Sequence, residues 1–311
     1  MNVEPSFNKN LYGYQEIFSN LKKLYDSSIL PNKIIFSGEK GIGKSTFAYH
    51  LTNYIFSINE ENKYDFQKNI IVDKNYSYNL IVKNAHPNFF LISNEVDKKS
   101  IQISKIREMI NFTNKSSFNN LSKIIFIDNI EYLNASSVNA LLKVIEEPNN
   151  NIFFFLIHNN KKKILDTLKS RCIQYNLFLN NQEKSDVIKK LSSNDFYSNL
   201  NVDFMSPYNT PSNAVMLNEI FENNDIDINI SIDDFLKLVI NKSLYKKDIN
   251  IKDNLLHFIE LYFKKKMNFS NSKGKIYYLY NYFQKKFNDY KIYNLDLESI
   301  LIEFNGKLLN E

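Results

Sequence analysis

The sequence predicts an α/β domain built on a parallel sheet, followed by helices alone. Three observations predict it. Short apolar runs alternate with stretches of helical periodicity as far as about residue 178, the pattern of strands buried on both faces between crossover helices. Half of the six glycines fall at 38, 41 and 43, between the first apolar run and the first clear helix. Beyond residue 178 only helical patterns recur, as at Leu255, Leu256, Ile259 and Phe263, joined by Asn- and Lys-rich loops.

The elements follow in order. KIIFS at 33–37 is a buried strand, and Phe47, Ala48, Leu51, Tyr54 and Ile55 place a helix after it. FFLI at 89–92 is a second strand, and Ile103, Ile106 and Ile110 mark an amphipathic helix. Ile124 to Ile127 form a third strand ending at Asp128. Val138, Leu141, Leu142 and Ile145 share one face of a helix that Pro148 stops. IFFFLI at 152–157 is a fourth strand without a polar interruption. The strand before the glycines is apolar on both faces, so it is expected at the centre of the sheet.

Composition narrows the function classes. The chain of 311 residues is 43% hydrophobic and 23% charged, ordinary values for a globular protein. Its net charge of +5 permits an acidic partner without demanding one. The abundance of Asn, Lys, Ile, Tyr and Phe is that of an AT-rich genome, so Lys161 to Lys163 and Lys264 to Lys266 are read as solvated faces. His50 and His257 are read as packing or surface residues. The single cysteine, Cys172, excludes an intrachain disulfide and a four-cysteine zinc site. With neither a signal-like N-terminus nor a run of about 18 apolar residues, the expectation is a cytoplasmic protein without membrane contact.

Gly38 to Ser45 fits G-x-x-x-x-G-K-S/T with strand and helix on the correct sides. Glycines let backbone N–H groups approach a phosphate that a Cβ would obstruct. The helix starting near Lys44 offers unpaired N–H groups and a positive dipole end. Lys44 can reach the β- and γ-phosphates, and the Ser45 hydroxyl can ligate Mg²⁺. The predicted nucleotide contacts are Gly38, Gly41, Ile42, Gly43, Lys44, Ser45, Thr46 and Asp128, with Ser45 and Asp128 on the metal. Hydrolysis asks for more. In IIFIDNIEYL, Asp128 is placed for the metal, but Asn129 follows it. An amide can position water and cannot accept its proton. Glu131 stands two residues further on and is not read as a substitute.

NALLKVIEEP (139–148) through TLKSRC (167–172) resembles the AAA+ subunits of DNA clamp loaders. NLYGYQ (10–15), AHPNFFLI (85–92) and YNLDLESILIEF (293–304) extend the resemblance over most of the chain. Among these subunits, GIGKSTFAYHL, AHPNFF and the NLD ending most resemble the delta-prime subunits of bacterial DNA polymerase III, in the alphaproteobacterial style. The resemblance implies an AAA+ P-loop domain at 1–178, a small helical lid at 179–222 and a helical collar at 223–311. It implies that Arg171 is an arginine finger, reaching the γ-phosphate held by a neighbouring subunit, and that the fourth-strand sensor position falls near His158-Asn159, with Asn159 as a further nucleotide contact on phosphate or water. It also implies ATP and Mg²⁺ as cofactors, other subunits of a hetero-oligomeric ring as partners, and contact with the sliding clamp and primer-template DNA through that ring.

The departures refine the expectation. Residues 57–85 contain no cysteine, so the zinc module of many bacterial relatives is excluded. Motor subunits read Asp-Glu where this chain reads Asp128-Asn129, and Asn213 stands where they carry a lid arginine. The expected function is therefore a subunit that binds ATP with little turnover and lends Arg171 to its neighbour. The alternatives are an ATP-hydrolysing motor subunit of the gamma/tau type and an unrelated P-loop enzyme, such as a small-molecule kinase, which leaves LLKVIEEP and KSRC unexplained.

Overall fold

The computed structural model describes residues 4–93, 100–146, 151–160, 163–191, 196–205, 209–269 and 273–309. They form two compact units, Met1–Lys190 with Thr210–Ser212 and Leu191–Asn209 with Asn213–Glu311.

The first unit is built on strands β1 (Lys33–Gly38), β2 (Phe89–Ile92), β3 (Lys123–Ile127), β4 (Ile152–Asn159) and β5 (Ile173–Asn176). Their order is β2-β3-β4-β1-β5 and every neighbouring pair is parallel. Ile34, Ile35 and Phe36 are inaccessible to solvent, as the unbroken apolar run requires. β1 is interior but one place off the middle, which β4 occupies. The expectation of a central β1 is corrected to that extent. An apolar run on both faces identifies an interior strand without fixing its rank among interior strands. β5 was not foreseen. Its sequence, IQYN, is no apolar run, and as an edge strand it leaves Ile173 51% exposed.

Helices α1 (Gln15–Asp26), α2 (Lys44–Ser57), α3 (Tyr76–Val82), α4 (Ile103–Thr113), α5 (Ala135–Glu146), α6 (Asp166–Lys169) and α7 (Asn181–Leu191) accompany the sheet. α2 is buried almost all round. Its Phe47 meets Tyr14, Phe18 and Phe36 edge-on, with ring centroids 5.8, 5.7 and 5.3 Å away, a favoured aromatic geometry. Ile106 and Met109 of α4 join Val138, Leu141 and Ile145 of α5 in a core with Ile125, Phe154 and Leu156, and Leu142 packs against it half-buried. Pro148, read as the stop of α5, lies outside the described residues.

His50 of α2 is fully buried, so the packing reading holds. Its Nε2 lies 3.0 Å from the Asn8 carbonyl, which only accepts, so Nε2 carries the proton. Nδ1 then accepts from the Tyr64 hydroxyl at 2.9 Å.

The second unit contains helices only among its described residues: α8 (Phe196–Asn199), α9 (Pro211–Asn223, beginning in the first unit), α10 (Ile232–Asn241), α11 (Leu244–Lys247), α12 (Ile249–Phe269), α13 (Lys273–Tyr293) and α14 (Leu297–Phe304). One core runs through it, with Phe204, Phe235, Phe258 and Phe304 inaccessible. Lys265 bridges Asp203 and Asp233 at 2.8 and 2.6 Å, and Lys266 meets Asp233 at 2.7 Å. These two lysines are ion-paired rather than simply solvated; Lys161 and Lys162 lie outside the described residues. No helix among the described residues is long and apolar enough to cross a membrane.

Candidate nucleotide-binding site

The chain leaves β1, crosses to the far edge at β2 and returns through β3 to β4 beside β1. In open α/β sheets ligands bind at such a switch point, beyond the carboxyl ends of the strands. Gly38 at the end of β1 is paired with Asn159 at the end of β4, and Asp128 follows β3 directly. Nine predicted residues therefore converge at one end of the sheet: Gly38, Gly41, Ile42, Gly43, Lys44, Ser45 and Thr46 on the loop and helix, with Asp128 and Asn159 beside them.

The loop is glycine-rich for specific reasons. Gly41 and Gly43 have φ of +86° and +90°, which side chains resist. A Cβ on Gly41 would also lie 2.4 Å from Thr210 Oγ1, and one on Gly38 would lie 2.4 Å from the Leu177 carbonyl oxygen. Around Gly43 nothing lies within 4 Å of that position, so the mouth of the loop is open just where α2 begins. Tyr14 donates its hydroxyl to the Ile42 carbonyl at 2.9 Å, and Ser212 N–H donates to the Gly41 carbonyl at 3.0 Å. Neither support was read from the sequence. The NLYGYQ segment holding Tyr14 carries no local sign of a bond to the loop, and Ser212 is separated from the loop by most of the first unit.

Lys44 is buried, and its ammonium donates to the carbonyls of Gly38 and Glu39 and to Asn159 Oδ1, the first and last at 3.0 and 2.8 Å. Burial pushes it down to about 8, while the carboxylates of Asp128, Glu131 and Glu39 oppose that fall. Ser45 Oγ donates to Asp128 Oδ1 at 3.2 Å. Burial pushes the Asp128 carboxyl upward, and the Ser45 hydroxyl, the Asn129 N–H and the Lys44 charge pull it back. A carboxylate in a dry place with a hydroxyl beside it fits a hard divalent cation. An open loop mouth backed by a lysine fits a polyphosphate.

Asn159 joins this lysine to the remaining polar groups. Its Nδ2 donates to Asn129 Oδ1 at 2.5 Å and to Glu131 Oε1 at 2.9 Å, and its backbone N–H to Glu131 Oε2 at 3.3 Å. Glu131 is thus engaged with Asn159. Behind the loop, Ser37 donates to Asn160 Oδ1 at 2.8 Å, so His158 Nδ1, also at 2.8 Å, must donate to it. This link between β1 and β4 was likewise missed, because Ser37 looked like one more strand residue.

Arg171 stands apart. β5 runs parallel to β1 with Ile173 opposite Ile34. Arg171 precedes it, so it lies toward the amino-terminal end of the sheet, whereas the loop lies beyond the carboxyl end. Four residues of strand separate Ile34 from Gly38, about 13 Å.

A family model described as DNA polymerase III, delta subunit, matches residues 13–181, more than half of the chain. The DNA polymerase III subunit delta' of Pseudomonas aeruginosa is 30% identical over 95 residues, 30% of this chain and 29% of that protein. The subunit delta' of Buchnera aphidicola subsp. Schizaphis graminum is 29% identical over 190 residues, 57% of this chain and 55% of that protein. The matches thus span about half, or less, of these curated relatives. A DNA polymerase III gamma subunit-related protein of Thermotoga maritima shares the fold, with a TM-score of 0.50, at 14% identity over 94% of this chain and 98% of that one.

Proposed function

The chain belongs to the DNA polymerase III delta-subunit family, and on that premise we propose that it is a delta-prime-type clamp-loader subunit. It holds ATP–Mg²⁺ with little turnover and supplies Arg171 to a neighbouring ATPase site in a hetero-oligomeric cytoplasmic ring that loads the sliding clamp onto primer-template DNA. The division at 1–178, 179–222 and 223–311, into nucleotide-binding domain, lid and collar, belongs to the same proposal. The observation that carries it is the placement of Arg171 away from this chain's own nucleotide loop. A finger so placed serves a phosphate that another subunit holds.

Each residue has a stated part. The loop N–H groups and Lys44 would take the phosphates, and Ser45 and Asp128 would hold the metal, which would neutralise phosphate charge. Asn159 would contact the terminal phosphate or a water. The motor reading needs a carboxylate to take the proton of that water. Asn129 cannot, and Glu131 is engaged by Asn159.

The test compares Lys44→Ala, Arg171→Ala and Arg171→Lys in complexes reconstituted with the partner subunits, by DNA-stimulated ATPase. A guanidinium supplied in trans is worth about 10³ to 10⁵ in rate, and lysine lacks its planar fork. Both Arg171 variants should assemble and lose most of the neighbour's activity, while Lys44→Ala costs much less. If Lys44→Ala abolishes activity and Arg171→Ala is silent, the roles are reversed and the proposal is wrong.

A further inference from the structure

The guanidinium of Arg171 is held before any partner arrives. Its Nε donates to Glu146 Oε1 at 2.7 Å, its Nη2 is ion-paired with the same oxygen at 2.6 Å, and its Nη1 donates to the Thr167 carbonyl at 3.0 Å. Glu146 is the last residue of α5, and Thr167 belongs to α6. The carboxylate therefore grips the side of the fork; of its five N–H donors, the outer one on Nη2 lies outside these contacts and the second on Nη1 meets Ser170 Oγ only at 3.5 Å. The pair is at the surface, with the two side chains 38% and 49% exposed, so another subunit can reach it.

We propose that Glu146 is a positioning residue for Arg171, fixing the fork so that its remaining donors meet the neighbour's terminal phosphate already oriented. This rests on the trans role of Arg171 proposed above. A long side chain loose in water spreads over many rotamers, and each productive encounter must select one of them. Anchoring the Nε side of a rigid, planar fork removes most of that search and leaves the outer Nη2 donor for the phosphate. The pairing lowers the net charge that the neighbour sees at long range. At hydrogen-bond distance, however, direction decides the rate, since catalytic groups lose efficiency steeply when misplaced.

The test uses complexes reconstituted with the partner subunits and carrying Glu146→Ala, Glu146→Gln, Arg171→Ala, or Glu146→Ala with Arg171→Ala, with assembly checked by gel filtration. Glu146→Ala should lower kcat of the DNA-stimulated ATPase about 5- to 30-fold, less than the loss of Arg171 itself. KM for ATP should stay within about twofold, because the change acts on the transition state. Glu146→Gln should fall between Ala and the parent, since its amide oxygen accepts the same bonds without the charge. The double variant should be no slower than Arg171→Ala alone. A parental or faster rate for Glu146→Ala, or a double variant slower than Arg171→Ala, overturns the inference while the role of Arg171 stands. If Glu146→Ala does not assemble, the isosteric Gln variant decides by the same criteria, a parental rate overturning the inference. A silent Arg171→Ala overturns the proposed function, and this inference with it.

Discussion

His50 is sealed inside α2, its two ring nitrogens committed to Asn8 and Tyr64. Burial pushes its pKa down to about 3, from an ordinary value of 6.5. The unfolded chain takes up the proton near 6.5 and the folded chain only near 3. Stability is therefore complete above pH 6.5 and is lost as the pH falls toward 3, by up to about 1.4 kcal/mol per unit. His86, stacked on Phe56 and pushed by burial to about 4, adds in the same direction. Denaturant midpoints between pH 6.5 and 4 should fall less in His50→Gln than in the parent; parallel curves would show that His50 does not titrate on unfolding. Asn129 illustrates a different constraint. It sits at φ +58° and pairs with Asn159. Asn tolerates that conformation better than most side chains. Asn129→Glu should therefore cost about 1 kcal/mol in thermal unfolding and leave the turnover of the isolated chain low. A rise in turnover to motor-like rates would contradict the role proposed for this subunit.

At the scale of elements, the loop from β1 to α2 was the most legible part of the chain. Its glycines, lysine and hydroxyl are consecutive, and the strand and helix on either side have unmistakable periods. The groups that brace it were illegible, because Leu177, Thr210 and Ser212 reach it only through the fold. β5 escaped notice because an edge strand of four residues need not be apolar. The braces make the loop's glycines unequal. Gly43→Ala meets strain alone, about 1 kcal/mol. Gly41→Ala adds a methyl 2.4 Å from Thr210 Oγ1 and 2.9 Å from Ser212 Cβ. It should cost at least about twice as much. Thermal unfolding of the two variants compares them, and equal costs would mean that the 210–212 segment yields without resistance.

For the whole molecule, the sequence indicated an α/β part and a helical part, yet it could not show that residues 210–212 belong with the first unit. Sequence periodicity describes one element at a time, whereas membership of a unit is decided by distant contacts. Phe258, inaccessible in the helical core and 4.9 Å from the ring of Phe235, tests the separation. Phe258→Ala should destabilise the second unit by about 3 to 5 kcal/mol, while nucleotide binding, followed by fluorescence, survives to higher temperature than the helical signal. Simultaneous loss of both would mean that the two units unfold as one. The excursion of the chain through 191–209 and back to Ser212, whose N–H meets the Gly41 carbonyl, also bears on biosynthesis. A ribosome delivers residues in order, and amino-terminal units ordinarily close first. Here the loop beginning at Gly38 is long since made when its last brace emerges, so the first unit of the nascent chain cannot be finished until part of the second has been translated.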